Sequence, residues 1–554
     1  MLRFALVCES VSKTTKKLEK EALLAAYFHG LTDEDLARAS IFFTGYPFAL
    51  KDQRVTNVGY AAIRDALEEL YPGAAEKLGP VVLRTGDLGS AVEELLASAP
   101  QEAALTLQGA ASYYNQLTTI SNNRLRCELL GEMLSKATAL EAKYLIKILT
   151  GGMRIGLQEG LVESSVARAF QQPLGTVQYV NMLLGDIGET AILARLGRLE
   201  DARMELLHPI KPMLASVEED TERILEAMEN RGLAEDKYDG IRAQVHKEDS
   251  TIRIFSRDLD DITGSFPDVV DGLLAIQDSF LMDGEIVPFK QGQILPFAVL
   301  QNRLGRKKLS QELLQQIPCR YFAFDLLYSG SNLLLDAPLT TRREQLQHMQ
   351  INYPESFSIS EQRTINTVDE LEACFEASRK RNNEGLVIKH PDSPYKPGKR
   401  GKQWLKIKRA LISLDVVVIA AEYGHGRRAG LLSDYTFAIQ HGGELLTIGK
   451  AYSGITDKEL AQLSELFHNI SIGNEGFLHR VPPQVVLDVA FDRINRSKRH
   501  TSGFALRFPR IKNIRWDKKP EEIDTLETVE MLYQAQSMQP QTNLEQPTAT
   551  TKLM

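Results

Sequence analysis

The run Glu235-Asp236-Lys237-Tyr238-Asp239-Gly240-Ile241-Arg242 decides the reading of this chain. It sets a lysine two residues before Asp-Gly, with an arginine close behind. The pattern suits an amine that attacks phosphorus and holds a nucleoside monophosphate as a phosphoramidate. A free lysine is protonated at neutral pH and cannot attack. Flanking cations and partial burial lower its pKa and make it a nucleophile. Asp239-Gly240 supplies a tight turn that fixes the lysine against a phosphate. A charged hairpin edge would look the same over four residues, so the surrounding sequence has to decide.

Downstream, the texture is that of strands. Arg242–His246 and Thr251–Ser256 alternate with period two and predict a hairpin joined by the charged turn His246–Ser250. Phe280–Val287, Tyr321–Tyr328 and Glu384–Lys389 are further strands, with helices predicted over Thr341–His348 and Val368–Arg381. Polar groups stand at the strand ends. Arg257 follows the hairpin, and Glu285 follows Asp283-Gly284, where it could accept hydrogen bonds from a ribose. Phe324 lies in the aromatic strand Tyr321-Phe322-Ala323-Phe324, and a purine needs such a face to stack on. Glu384 precedes its strand and could hold Mg²⁺, an ion that uses one or two carboxylates beside substrate phosphates. Seven of the fifteen residues Tyr395–Arg409 are Lys or Arg. Among them Lys406 and Lys408 alternate with Leu405 and Ile407, so a strand would present both lysines on one face, suited to a phosphate.

Leu414–Ala421 opens a second β-rich stretch with strands near 434–440, 444–450 and 484–491, of a size that suits a small OB-type barrel. It closes on ten Lys or Arg residues between Arg493 and Lys519. Arg507, Arg510, Arg515 and Lys518 in that cluster are either a basic patch for a nucleic-acid backbone or a clamp on a pyrophosphate leaving group. Beyond 535 the chain turns to Gln, Thr, Ser, Pro and Asn, a composition that cannot bury a core and predicts a disordered tail. Before the lysine, residues 1 to about 200 read as helical. Leu125–Leu134 and Ala139–Ile148 carry apolar residues at spacings of three and four, and Gly151-Gly152 ends the second helix.

Composition narrows the class. With 554 residues, 43% hydrophobic and 25% charged, the chain is expected to be a soluble protein of several domains. A net charge of −8 excludes a uniformly basic coat, so phosphate binding has to come from local clusters. Cys8, Cys127, Cys319 and Cys374 form no C-x-x-C pair, which argues against structural zinc and disulfides and for reduced thiols in a cytoplasmic setting. No stretch approaches a membrane span, and no signal peptide is expected.

Together these segments resemble the ATP-dependent DNA ligases of the covalent nucleotidyltransferase superfamily, of the stand-alone bacterial or archaeal type. Six segments match in order: Lys237–Arg242, the strand ending at Arg257, Asp283-Gly284-Glu285, Tyr321–Tyr328, Glu384–Lys389 and Trp404–Lys408; Arg507–Lys518 is similar to the family's last motif. The likeness covers about 205 to 525 closely. Gly151-Gly152-Met153-Arg154-Ile155-Gly156 is similar to a glycine-rich, Arg-containing turn of the family's N-terminal domain. The resemblance implies an all-α DNA-binding domain over 1–204, an α+β adenylation domain over 205–412, an OB-fold β-barrel over 413–534 and a tail over 535–554. It implies ATP and Mg²⁺ as cofactors and nicked double-stranded DNA as partner, with the protein a monomer that carries out replication, repair or recombination chemistry. Lys237 would take AMP from ATP, pass it to a 5′-phosphate at a nick, and release it as the 3′-hydroxyl seals the strand. Glu235 would contact adenine, Arg242 and Arg257 the sugar and phosphates, and Glu285 the ribose. Phe324 would stack on the base, Glu384 with Glu285 would hold the metal, and Arg400, Lys406 and Lys408 would meet phosphate. Which of Arg507, Arg510, Arg515 and Lys518 meets the pyrophosphate stays open. A capping guanylyltransferase or an RNA ligase would share the lysine motif but not need the helical extension. An NAD-dependent ligase would carry a cysteine zinc cluster. A scaffold without activity would show a damaged pocket.

Overall fold

The computed structural model describes residues 1–554 except 98–102, 305, 307–308, 350–355, 382, 408–411, 425–427, 429, 476–477 and 538–554. The chain divides into two compact units, Met1–Lys408 and Arg409–Met554.

The first unit begins with helices from Leu2–Ser12 to Ile187–Leu196. The two helices expected from apolar spacing are Asn123–Ser135 and Ala139–Leu149. The second opens on a capping box, in which the Thr138 hydroxyl and the Glu141 carboxylate each satisfy a backbone N–H of the first turn. It stops where Gly151 takes φ +68°, a left-handed conformation that glycine adopts without steric cost. Phe4, Phe28, Phe42, Phe43, Tyr114 and Tyr144 bury their rings in one apolar core. Lys147 and Asp87 form a buried ion pair at 3.0 Å. Arg154, in the glycine-rich turn, reaches the same carboxylate at 3.7 Å.

From Leu214 the first unit becomes two sheets. One runs in the order Leu214–Glu218, Arg400–Ile407, Gly385–Lys389, Gly232–Lys237, Gln362–Ile365. The other contains Thr251–Ser256, Ile241–Glu248, Phe280–Lys290 and Cys319–Ser329 in that order. The expected hairpin is present but tighter than expected. Its strands extend to Glu248 and Thr251, which pair, so the turn is Asp249-Ser250, with Asp249 at φ +51°. The helices Leu339–His348 and Val368–Lys380 stand where the sequence predicts them.

Gly240 lies in the bend that carries the chain from one sheet to the other. A Cβ there would sit 2.4 Å from the Ile286 carbonyl oxygen, so only glycine allows this approach. Gly284 is equally confined, with the Phe322 oxygen and the Tyr321 ring each 2.5 Å from an added Cβ.

The second unit is built on the long strand Ile412–Tyr423. It pairs with Leu432–His441 on one edge and with Val486–Phe491 and Leu478–Arg480 on the other, with register shifts that curve the sheet. The helix Asp457–Ile470 packs Leu460, Leu463 and Phe467 against that sheet's core. Neither this helix nor the helix Leu526–Ser537 was expected from the sequence. The second of them occupies the first residues of the predicted tail; the stretch from 538 onward lies outside the described residues. Among the described residues no helix is long and apolar enough to cross a membrane.

Candidate active site

Side chains alternate across a strand, so each sheet has one face for a core and one for chemistry. In the first sheet Ala234, Leu386, Ile388, Leu405 and Ile407 point to a buried cluster. Register then places Glu235, Lys237, Lys389, Trp404 and Lys406 on the opposite face, since Gly385 lies across from Lys237, Val387 from Glu235 and Lys406, and Lys389 from Trp404. In the second sheet Ala243, Val245, Met282, Ile286, Tyr321 and Ala323 form the core. Arg242 opposes Glu285, which opposes Phe322, so Arg242, Asp283, Glu285 and Phe324 share the other face. The bend Tyr238-Asp239-Gly240 joins these two polar faces directly beside Lys237.

Lys237 is the last residue of its strand and about a quarter exposed. Its Nζ pairs with the Glu384 carboxylate, and its carbonyl accepts the Glu384 N–H at 2.8 Å. The charge paired with the amine is a carboxylate, because the antiparallel register brings the residue before Gly385 next to the strand end. On the neighbouring residue of the same strand, Asp236 engages Arg381 at 2.7 Å.

Glu235 is buried and doubly held. One oxygen accepts from Gln362 Nε2 at 2.9 Å and the other from Lys389 Nζ at 2.9 Å. Lys389 Nζ also lies 4.4 Å from the centre of the Phe324 ring and 4.3 Å from that of Trp404. Burial pulls the Lys389 pKa below its ordinary value, against the opposing pull of Glu235. Phe324 is only half-buried, with the Arg242 guanidinium 5.4 Å from its centre and Trp404 edge-on at 6.2 Å.

Arg242 forks onto Asp283, Nε to Oδ1 at 3.1 Å and Nη2 to Oδ2 at 2.6 Å. Desolvation pushes the Glu285 carboxyl up to about 8, with Lys237 and Arg242 acting in the opposite direction. Glu285 and Glu384 both act electrostatically on Lys237, and Mg²⁺ takes one or two carboxylates beside substrate phosphates. The donor set therefore fits that ion.

The other expected residues divide. Lys406 is half-buried on the pocket face, while Arg400 is exposed at the start of its strand. Arg257 is exposed in the turn after Ser256, and Lys408 lies outside the described residues. In the second unit Arg507 ends one strand and Arg510 begins the next. Arg515 and Lys518 converge on one carboxylate, Asp415, at 3.2 Å and 2.5 Å. Sequence reasoning did not pick out Gln362, Asp415, Tyr395 or Lys389 for a role. For Lys389 the signal existed: a lysine at the end of an apolar strand that also carries Glu384 is a candidate for burial with a partner.

Three family profiles match the chain: "DNA ligase N terminus" over residues 1–167, "ATP dependent DNA ligase domain" over 212–408, and "ATP dependent DNA ligase C terminal region" over 428–518. A "Probable DNA ligase" of Koribacter versatilis is 44% identical over 559 residues, covering 97% of each chain. A "DNA ligase" of Archaeoglobus fulgidus is 33% identical over 547 residues, covering 96% of this chain and 98% of that one. Among solved structures, one named "Pmar-Lig_PreS3" shares the fold with a TM-score of 0.59 at 16% identity, covering 92% of this chain and 99% of that one.

Proposed function

The chain belongs to the ATP-dependent DNA ligases, and from that premise we propose how its residues seal a nick in duplex DNA. The observation that carries the reading is the meeting of two polar sheet faces at Lys237, with Glu235, Arg242, Glu285, Phe324 and Glu384 around it. Lys237 Nζ, freed from Glu384 and deprotonated, attacks the α-phosphorus of ATP. An N–P bond forms, the P–O bond to pyrophosphate breaks, and the amine's proton is lost to solvent. The AMP then passes to the 5′-phosphate of the nick, and the 3′-hydroxyl displaces it.

Glu235 faces the adenine edge, Phe324 stacks on the ring, and Arg242 and Glu285 hold the sugar and α-phosphate. Arg257, Arg400, Lys406 and Lys408 add phosphate contacts. Glu384 and Glu285 would hold Mg²⁺, which supplies charge stabilisation at the phosphate oxygens. Arg507, Arg510, Arg515 and Lys518 serve the first step, where charge builds on departing pyrophosphate. The helical residues 1–204 grip duplex DNA through its phosphates, without sequence preference and with strong salt dependence. Residues 413–534 form an OB-type barrel, and the protein works as a monomer.

The test is incubation with radiolabelled ATP, GTP or NAD, followed by a denaturing gel. ATP alone should label the wild type, and Lys237→Ala and Lys237→Arg should both stay unlabelled, a guanidinium being a poor nucleophile. Label that survives Lys237→Ala overturns the assignment.

A further inference from the structure

Behind Arg242 lies a line of hydrogen bonds that the nucleotide itself would not touch. Tyr395 is buried, and its hydroxyl sits 2.6 Å from Asp283 Oδ2, the oxygen that also receives Arg242 Nη2. The same hydroxyl accepts the Met213 N–H at 3.0 Å, and Arg242 Nη2 lies 3.5 Å from it. Both of those groups are donors, so the phenolic proton is directed at Asp283. Trp404 stands edge-on to the Tyr395 ring at 5.7 Å. Burial also keeps the phenol protonated, well above its ordinary pKa.

We propose that Tyr395 is a positioning residue for nucleotide binding, acting through Asp283 to fix the Arg242 guanidinium over the pocket. This rests on the reading that Arg242 contacts ATP. A carboxylate offers an arginine several in-plane approaches. A tyrosine proton on one oxygen removes one of them and leaves the fork seen here. Met213 gives the arrangement its anchor. It lies in the segment that leads into the strand Leu214–Glu218, so the chain arriving from the helical region is bonded to the group that orients Arg242.

The experiment uses the full chain carrying Lys237→Ala, which blocks the covalent step, and reads ATP affinity by calorimetry. Tyr395→Phe removes one oxygen atom and keeps the ring. It should weaken ATP binding about tenfold, the size of one hydrogen bond to a charged group. Asp283→Asn should show the same direction. In an Arg242→Lys background the further change Tyr395→Phe should cost less than about twofold, because its effect runs through the guanidinium. With Lys237 present, Tyr395→Phe should raise the ATP concentration needed for half-maximal self-adenylation, with little change at saturating ATP. Unchanged affinity in Tyr395→Phe would overturn the proposal. So would a loss from Tyr395→Phe that is as large in the Arg242→Lys background as it is with Arg242 intact. A wild type that takes no label from ATP would instead remove the ligase reading beneath it.

Discussion

Lys389 and Glu235, 154 residues apart in sequence, meet at 2.9 Å with both side chains almost wholly buried, at 2% and 3% exposure. With Gln362 on its other oxygen, the Glu235 carboxylate is clamped in one orientation and is a pure acceptor. Such a group suits the 6-amino donor of adenine and opposes the 6-oxo acceptor of guanine.

Lys389→Met should therefore act on stability and on choice of base together. Removing one partner of a buried pair costs about 3–5 kcal/mol, so the melting temperature should drop. Glu235 would lose one of the two groups that hold its carboxylate in place, so the preference for ATP over GTP should shrink. The check is label transfer from each nucleotide at matched concentrations. A folded variant with an unaltered ratio would separate Glu235 from base selection.

Phe324→Ala should raise the ATP demand of self-adenylation without stopping it. Loss of ring stacking is worth on the order of 1 kcal/mol, or about fivefold in concentration. Phe324→Tyr should retain most of the affinity. If alanine leaves the ATP titration where it was, the ring serves only the apolar cluster it shares with Trp404.

Glu285 predicts a pH dependence whose sign is fixed by its environment. Its carboxyl moves from an ordinary 4.5 up to about 8 in the folded protein. Between those values the folded state keeps a proton that the unfolded chain gives up. Its stabilising contribution is complete at acid pH and is lost as pH rises through about 8. Glu285→Gln is uncharged throughout. The stability of the wild type relative to this variant, both without nucleotide, should fall by a few kcal/mol from about pH 5 to about pH 9. Thermal melts across that range decide it, and a flat difference would show that burial does not govern this carboxyl.

Arg510→Ala with Lys518→Ala should depress self-adenylation strongly yet leave sealing of a pre-adenylated nick near normal. Pyrophosphate is absent from the later steps, so a group that serves its departure has nothing left to stabilise. Single-turnover assays on both substrates measure this. Equal losses would mean that these cations hold the DNA backbone instead.

Much of the site was legible in the sequence because its motifs are short and local. Lys237 and Glu285 each sit on a strand whose alternation already separates pocket from core, and the structure places both on polar faces. The alternation of Leu405, Lys406 and Ile407 was equally readable. Pairings across long stretches of chain were not legible. Nothing near Glu235 announces Gln362 or Lys389, since sheet register alone brings them together. The pairing of Glu384 with Lys237 was missed for the same reason. The helix Asp457–Ile470 is a different case. Thr456 and Glu459 form a capping box ahead of an apolar stripe, so its start was written in the sequence and was hidden only by the strands on either side.

The backbone at Lys237 is held by its sheet neighbours. Lys237 ends a strand, and its carbonyl is bonded to the Glu384 N–H at 2.8 Å. On the proposed reading, AMP attached to Lys237 would move chiefly through the torsions of that one side chain. An adduct on that lysine would be a tethered carrier with a short leash: it would not bring its cargo to the break, and the broken end would have to be delivered to it.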